Sequence, residues 1–263
     1  MRVCTLASSS KGNCILVYTD NEKILIDMGI TMRETVEKLA KFGIEPTDID
    51  AILLTHEHSD HIKGVQTFVK RYGTSVYCHS LAYDSMKIKL DLFDETKLHK
   101  FTDAPFVIGN MEVQAFSVSH DVPKCVGFSI ISDGKKFSIA TDIGLMTKEV
   151  VDHLRGSKLV ILEANHDEKR LMQNPRYPAH LKKRILGDHG HLSNINCART
   201  IHALIGYGTK QVMLAHLSEE NNTPELAYCT VVDYLQSVGI EANKDINICV
   251  APPSTISPLF YLK

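Results

Sequence analysis

Six consecutive residues, HEHSDH at 56–61, carry three imidazoles and two carboxylates, directly behind the apolar run AILLT at 51–55. Nitrogen and carboxylate donors at that density suit Zn2+, Mn2+ or Fe2+, and no cysteine thiolate stands close enough to force zinc. If the apolar run is a strand, alternation sends His56 and His58 to one side. Asp60 and His61 then fall where a following helix begins and can reach a second point nearby. Such a segment can serve two metals, yet it supplies too few ligands for either.

The missing ligands have obvious sources. Asp27 follows KILI, His120 follows MEVQAFSVS, Asp142 follows KKFSIAT, Glu163 follows KLVIL and His216 follows QVMLA. Functional groups are commonly mounted on loops along one edge of a rigid sheet stack. We expect His56, His58 and His120 on one ion, Asp60, His61 and His216 on the other, and Asp142 between them. Each residue alone has a plainer explanation: a hydrogen-bonded structural histidine, or an aspartate that forms a turn or caps a helix. All of them in order, each behind a strand, make coincidence a poor account.

Short β-rich runs alternate with amphipathic stretches along the whole chain. VCTLA, CILVY, KILID, AILLT and TSVYCH read as strands, with helices expected over TMRETVEKLAKFG, HIKGVQTFVKRYG and SLAYDSMKIKL. The second half repeats the style. MEVQAFSV, CVGFSIIS, KKFSIAT, KLVILEA, QVMLAH and DINICVA read as strands, and Asp133-Gly134 as a hairpin turn. Helices are expected near TKEVVDHLRG, AHLKKRILG, NINCARTIHALIG and TPELAYCTVVDYLQSVG, and RLMQNPRYP reads as irregular. Two β-rich halves, each with helices, imply two sheets face to face with helices outside, a four-layer α/β sandwich in a single domain over 1–263.

Composition narrows the function classes. The chain has 263 residues, 44% apolar and 23% charged, with net charge −2, so a polyanion site must be a local patch rather than a global basic character. Seven cysteines stand singly, and no C-x-x-C occurs. Reduced thiols and a cytoplasmic setting are therefore expected. No run of 18 or more apolar residues suggests a membrane span.

The pattern His-x-His-x-Asp-His at 56–61, followed by His120, Asp142 and His216, resembles the metallo-β-lactamase superfamily over nearly the whole chain. That resemblance implies an αββα sandwich with a dinuclear site at one edge, and it makes Asp27, in LIDMG, the early aspartate that supports ligands from behind. LEANHD at 162–167, GHLSN at 190–194, LAHLSEENNTPE at 214–225 and the opening Ser-x-Ser-x-Gly-Asn at 8–13 look like the YycJ/WalJ group, relatives of tRNase Z. The group implies a metal-dependent phosphodiesterase acting as a 5′→3′ DNA exonuclease. Two ions about 3.5–4 Å apart can hold a hydroxide between them, with Asp60 helping to orient it.

The tRNase Z likeness also places a glutamate–histidine proton shuttle at Glu163 and His191, with His189 as the competing ring. Ser8, Ser10, Lys11 and Asn13 form a polar turn able to hold a phosphate. Lys182, Lys183 and Arg184 are the best basic stretch for gripping the DNA backbone. The alternative is a small-molecule phosphodiesterase for cyclic or nucleotide phosphodiesters, which needs the same metals and no basic track. A thioester or lactam hydrolase, and a DNA-binding module that has lost catalysis, fit the filled ligand positions and the GHLSN and LEANHD stretches less well.

Overall fold

The computed structural model describes residues 1–262. Two seven-stranded sheets form its centre. The first has the order β14 (Phe260–Tyr261), β1 (Arg2–Ser9), β2 (Gly12–Tyr18), β3 (Lys23–Ile26), β4 (Ala51–Leu53), β5 (Ser75–His79), β6 (Leu98–Phe101). The second runs β13 (Asn247–Val250), β12 (Gln211–Ala215), β11 (Leu159–Glu163), β10 (Lys135–Ala140), β9 (Cys125–Ser132), β8 (Met111–Val118), β7 (Phe106–Ile108). Each sheet joins an antiparallel part to a parallel part: β3 to β6 are mutually parallel in one, and β10 to β13 in the other.

Strand alternation explains the layers. In β3, Ile24 and Ile26 enter the core between the sheets, while Leu25 faces outward beneath helices. In β11, Leu159 and Ile161 point to that same inter-sheet core, and Val160 and Leu162 to the opposite face. Runs covered on both faces can be apolar at every position, as these are. Helices α1 (Met32–Leu39), α2 (Ser59–Ile62), α3 (Val65–Tyr72) and α4 (Tyr83–Leu90) belong to the first half. The second half has α5 (Lys148–Leu154), α6 (Glu168–Gln173), α7 (Ala179–Leu186), α8 (Asn194–Ile205) and α9 (Pro224–Ser237). Buried residues of α1, α3 and α4 close one outer core, and those of α5, α8 and α9 the other. The expected four-layer sandwich is what forms.

Several local expectations need correction. The stretch expected to be irregular, 170–178, begins inside α6, whose N-cap Asp167 accepts a hydrogen bond from the Arg170 amide. The single helix expected over 61–73 is broken into α2 and α3. Strands β6, β7 and β14 were not anticipated; each has at most four residues, too short for a period-two pattern to stand out. Asp133 and Gly134 do form the hairpin turn, with φ of 50° and 69°.

Candidate active site

Every candidate ligand sits just beyond the carboxyl end of a strand. Asp27 follows β3, the HEHSDH segment follows β4 and runs into α2, His120 follows β8, Asp142 follows β10, Glu163 ends β11, and His216 follows β12. His58 is the N-cap residue of α2, so Asp60 and His61 occupy its first turn. Gly29 permits this packing: a Cβ there would lie 1.6 Å from the Asp60 carbonyl oxygen.

The side chains converge as the residue types suggested. Ligand atoms of His56, His58 and His120 lie within 4.8 Å of one another, as do those of Asp60, His61 and His216. Asp142 stands between the groups, with Oδ1 3.7 Å from His120 Nε2 and 3.5 Å from His216 Nε2, and Oδ2 3.3 Å from His61 Nε2. Asp60 Oδ2 is 3.3 Å from His61 Nε2 and 3.5 Å from His216 Nε2.

Four of the five rings are also held through their other nitrogen, an arrangement that fixes tautomer and orientation. His61 Nδ1 meets Asp27 Oδ2 at 2.7 Å, and Asp27 in turn accepts from the Thr55 amide and hydroxyl. His56 Nδ1 lies 3.0 Å from Thr55 Oγ1, and His120 Nδ1 lies 3.2 Å from the Gly190 carbonyl oxygen. His216 Nδ1 lies 2.9 Å from Glu163 Oε1. His58 turns Nδ1 toward His120, leaving Nε2 facing Asp121 Oδ1 at 3.7 Å.

Two observations fit this cradle to divalent cations. His56 Nε2 and Asp142 Oδ2 are buried without any hydrogen-bond partner, although both are aimed into the cluster. The electrostatics also call for positive charge. Burial alone would lower the pKa of His61 and His216, but the surrounding carboxylates outweigh it. Asp27 and Asp142 hold His61 well above the usual imidazole range, and Asp142, Asp60 and Glu163 raise His216 to about 10. His56 is pushed down by burial and then by the neighbouring rings of His61, His120 and His58. Burial works against the Asp60 carboxylate, yet His216 and His61 hold its pKa far below the ordinary value. Nitrogen and oxygen donors without sulfur suit Zn2+, Mn2+ or Fe2+.

Glu163 and His191 sit beside the ligands. Glu163 is fully buried, and its Oε1 lies 2.8 Å from His191 Nδ1 while Oε2 accepts the amides of Ile143 and Leu192. Burial disfavours its charge, but His191 and His216 hold its pKa below the usual carboxylate range. His191 is raised in return: burial opposes its charge, and Glu163 overrides burial. The competing ring, His189, is exposed and pairs with the Ser119 hydroxyl.

The remaining sequence candidates divide between buried supports and surface groups. Ser8 and Asn13 are buried: the Ser8 hydroxyl accepts the His216 amide, and Asn13 Nδ2 reaches the Asp60 carbonyl oxygen. Ser10 and Lys11 stay exposed, with Lys11 paired to Glu219. Lys182 donates to the Met172 carbonyl oxygen, Lys183 is exposed, and Arg184 forms an ion pair with Asp121. Asp121 is the site residue the sequence reading missed. Its one signal was its place directly after a ligand histidine.

Residues 22–217 match the family described as the beta-lactamase superfamily domain. The chain belongs to that superfamily. It is 34% identical to the exodeoxyribonuclease WalJ of Streptococcus pneumoniae over 97% of this chain and 95% of that protein. It is 32% identical to the exodeoxyribonuclease YycJ of Bacillus anthracis over 98% of this chain and 97% of that protein. Among solved structures, human tRNase Z (short form) superposes with a TM-score of 0.63 at 17% identity, covering 98% of this chain and 99% of that one, a likeness of fold. The expected family is therefore borne out, and the chain is a metal-dependent hydrolase of the metallo-β-lactamase fold. Among the described residues, no helix is long and apolar enough to cross a membrane.

Proposed function

We propose that the chain is an exodeoxyribonuclease that removes nucleotides from DNA in the 5′→3′ direction. His56, His58 and His120 would hold one divalent ion, Asp60, His61 and His216 a second, with Asp142 between them; Zn2+ or Mn2+ fits best and Fe2+ is compatible. Bound there, the ions supply a nucleophile at neutral pH and neutralise charge on the phosphate oxygens. Asp60, reaching both His61 and His216, orients the attacking water. Asp27 fixes the His61 ring. The relatives named exodeoxyribonucleases, alike over nearly the full length, support DNA as substrate. All seven cysteines are free, in keeping with a cytoplasmic setting.

The observation that carries the reading is the Glu163–His191 contact at 2.8 Å. A departing sugar alkoxide needs a proton, and His191 lies beside the ligand cluster with its Nδ1 pinned and its pKa raised. Nε2 can therefore deliver a proton near neutral pH, the work of a general acid.

Metal-loaded protein should be incubated with 5′- and 3′-end-labelled single- and double-stranded DNA, with RNA and with a chromogenic phosphodiester. Mononucleotides released from 5′ ends of DNA are expected. His191→Ala should lower kcat on DNA by roughly 10²–10⁴ and affect a nitrophenolate leaving group far less. Hydrolysis confined to small or cyclic phosphodiesters would instead support the small-molecule reading.

A further inference from the structure

A cleft of about 170 Å3 opens directly beside the site, and His120 and His191 form part of its lining. One wall comes from α7 and the residues before it. Leu181, Arg184 and Ile185 stand at i, i+3 and i+4 of that helix and therefore share a face. Tyr177 precedes the helix, half-buried, between Pro175 and Pro178. Asn165 lies across the cleft; its Nδ2 is committed to the His216 carbonyl oxygen.

This wall is fixed to the metal edge rather than free to swing. The His191 amide donates to the Ile185 carbonyl oxygen at 2.9 Å, and the Ser119 hydroxyl donates to that of Asp188 at 2.5 Å. A Cβ on Gly190 would fall 2.1 Å from the Ile185 carbonyl oxygen, so only glycine allows the helix end to come so near. The turn carrying Tyr177 is held as well: its amide donates to the Asn174 carbonyl oxygen, and Asn174 Nδ2 donates to Asn221. Arg184 is tied to Asp121, which faces His58 and His120.

We propose that this cleft is a subsite for the terminal nucleoside of the strand, with the Tyr177 ring as the surface on which its base stacks and Leu181 and Ile185 as the apolar floor. The assignment rests on the nuclease reading and adds to it a place for one base. Its location follows from the chemistry. Water attacks phosphorus, the P–O3′ bond breaks with its electron pair leaving on O3′, and His191 Nε2 gives that oxygen its proton. The products are a shortened strand with a 5′-phosphate and a terminal nucleotide with a free 3′-hydroxyl. The group next to His191 is therefore the departing nucleotide, and the cleft next to His191 is where its base must go. An aromatic face accepts any of the bases, as an enzyme that degrades without regard to sequence requires.

Calorimetric titration of the metal-loaded protein with thymidine 5′-monophosphate and with deoxyribose 5-phosphate tests the subsite without any turnover. The nucleotide should bind roughly 5- to 150-fold more tightly, the range of a base–aromatic stack. Tyr177→Ala should erase that difference and Tyr177→Phe should keep it. In a parallel assay, an oligonucleotide with an abasic 5′ end should show a higher KM than an intact one with wild-type protein, and no such difference with Tyr177→Ala. Equal binding of the two ligands by wild-type protein, or a Tyr177→Ala loss that falls alike on both, overturns the subsite. Tyr177-dependent nucleotide binding by a protein that releases nothing from DNA keeps the subsite and overturns the exonuclease reading.

Discussion

Glu163→Gln isolates the work of the buried carboxylate, because the side chain keeps its size and loses one acceptor and its charge. Four donors converge on Glu163: Nδ1 of His191 at 2.8 Å, Nδ1 of His216 at 2.9 Å, and the amides of Ile143 at 2.8 Å and Leu192 at 2.9 Å. Glutamine offers one acceptor oxygen, so its NH2 must meet two of these donors. Backbone amides cannot change role, but imidazoles can exchange tautomer. The NH2 therefore turns to the rings, and each histidine accepts at Nδ1 and carries its proton on Nε2. A His216 protonated on Nε2 cannot bind metal through the atom that points into the cluster. Metal affinity should fall about 10–100-fold, the usual loss for an outer partner of a ligand histidine. His191 loses the charge that raises its pKa, so the alkaline limb of the kcat profile, where the acid gives up its proton, should move to lower pH. At saturating metal, kcat on DNA should fall by up to roughly 10²–10⁴. Competition with a chelating dye measures the first effect, and pH–rate profiles on DNA measure the others. A variant with unchanged metal affinity and an unmoved alkaline limb would refute the reasoning.

Metal analysis after reloading should approach two ions per chain, and Asp60→Ala should abolish hydrolysis with little change in thermal stability; a one-ion limit at saturating metal would remove the bridging role from Asp142. Replacing Lys182, Lys183 and Arg184 together with glutamine should raise KM for long DNA and flatten its salt dependence. In the metal-free protein, the raised pKa of His216, about 10, stabilises the fold fully below the ordinary histidine value near 6.5 and less and less as pH climbs to about 10. The metal-free Tm should decline across that window while metal affinity rises, since ions must displace those protons; an affinity independent of pH over the same range would contradict it.

Most of the fold, and the polar residues that converge at one sheet edge, could be read from residue order because both rest on local patterns. Buried parallel strands are apolar at every position, as in AIL of β4 and LVIL of β11, and the polar residues directly behind them are chemically conspicuous. The helical stretch 61–73 could not be divided by pattern, since its apolar periodicity continues through the break. Lys182, Lys183 and Arg184 form one basic run in the sequence, yet the fates of Lys182 and Arg184 depend on partners 10 and 63 positions away, Met172 and Asp121. Asp121 is marked in the sequence only by its place directly after His120, and Tyr177 has no local signature. Their importance comes from the way the GHLSN loop and α7 close against the metal edge.

Backbone conformation at the strand ends explains why the opening serine motif belongs to the same site. Asp27, Asp142 and His216 all adopt left-handed φ, at 56°, 57° and 56°. This conformation turns the chain sharply as it leaves the sheet and lets a strand-end side chain aim at the common centre. Aspartate tolerates it through local hydrogen bonding, so two of the three positions look like ordinary turn residues in the sequence. Histidine has less such relief, and strain of this kind costs on the order of 1–3 kcal/mol. It persists where the surroundings over-determine it, and both backbone polar groups of His216 are claimed: the Ser8 hydroxyl accepts its N–H, and Asn165 Nδ2 donates to its carbonyl oxygen, each at 2.9 Å. A glycine at 216 would relax the backbone and remove the ligand. Ser8, from the first strand, and Asn165, from the LEANHD stretch, thus hold a candidate ligand histidine in a conformation it would not choose alone. Residues 8, 165 and 216 lie far apart in the chain, and one strained backbone joins their motifs into a single device.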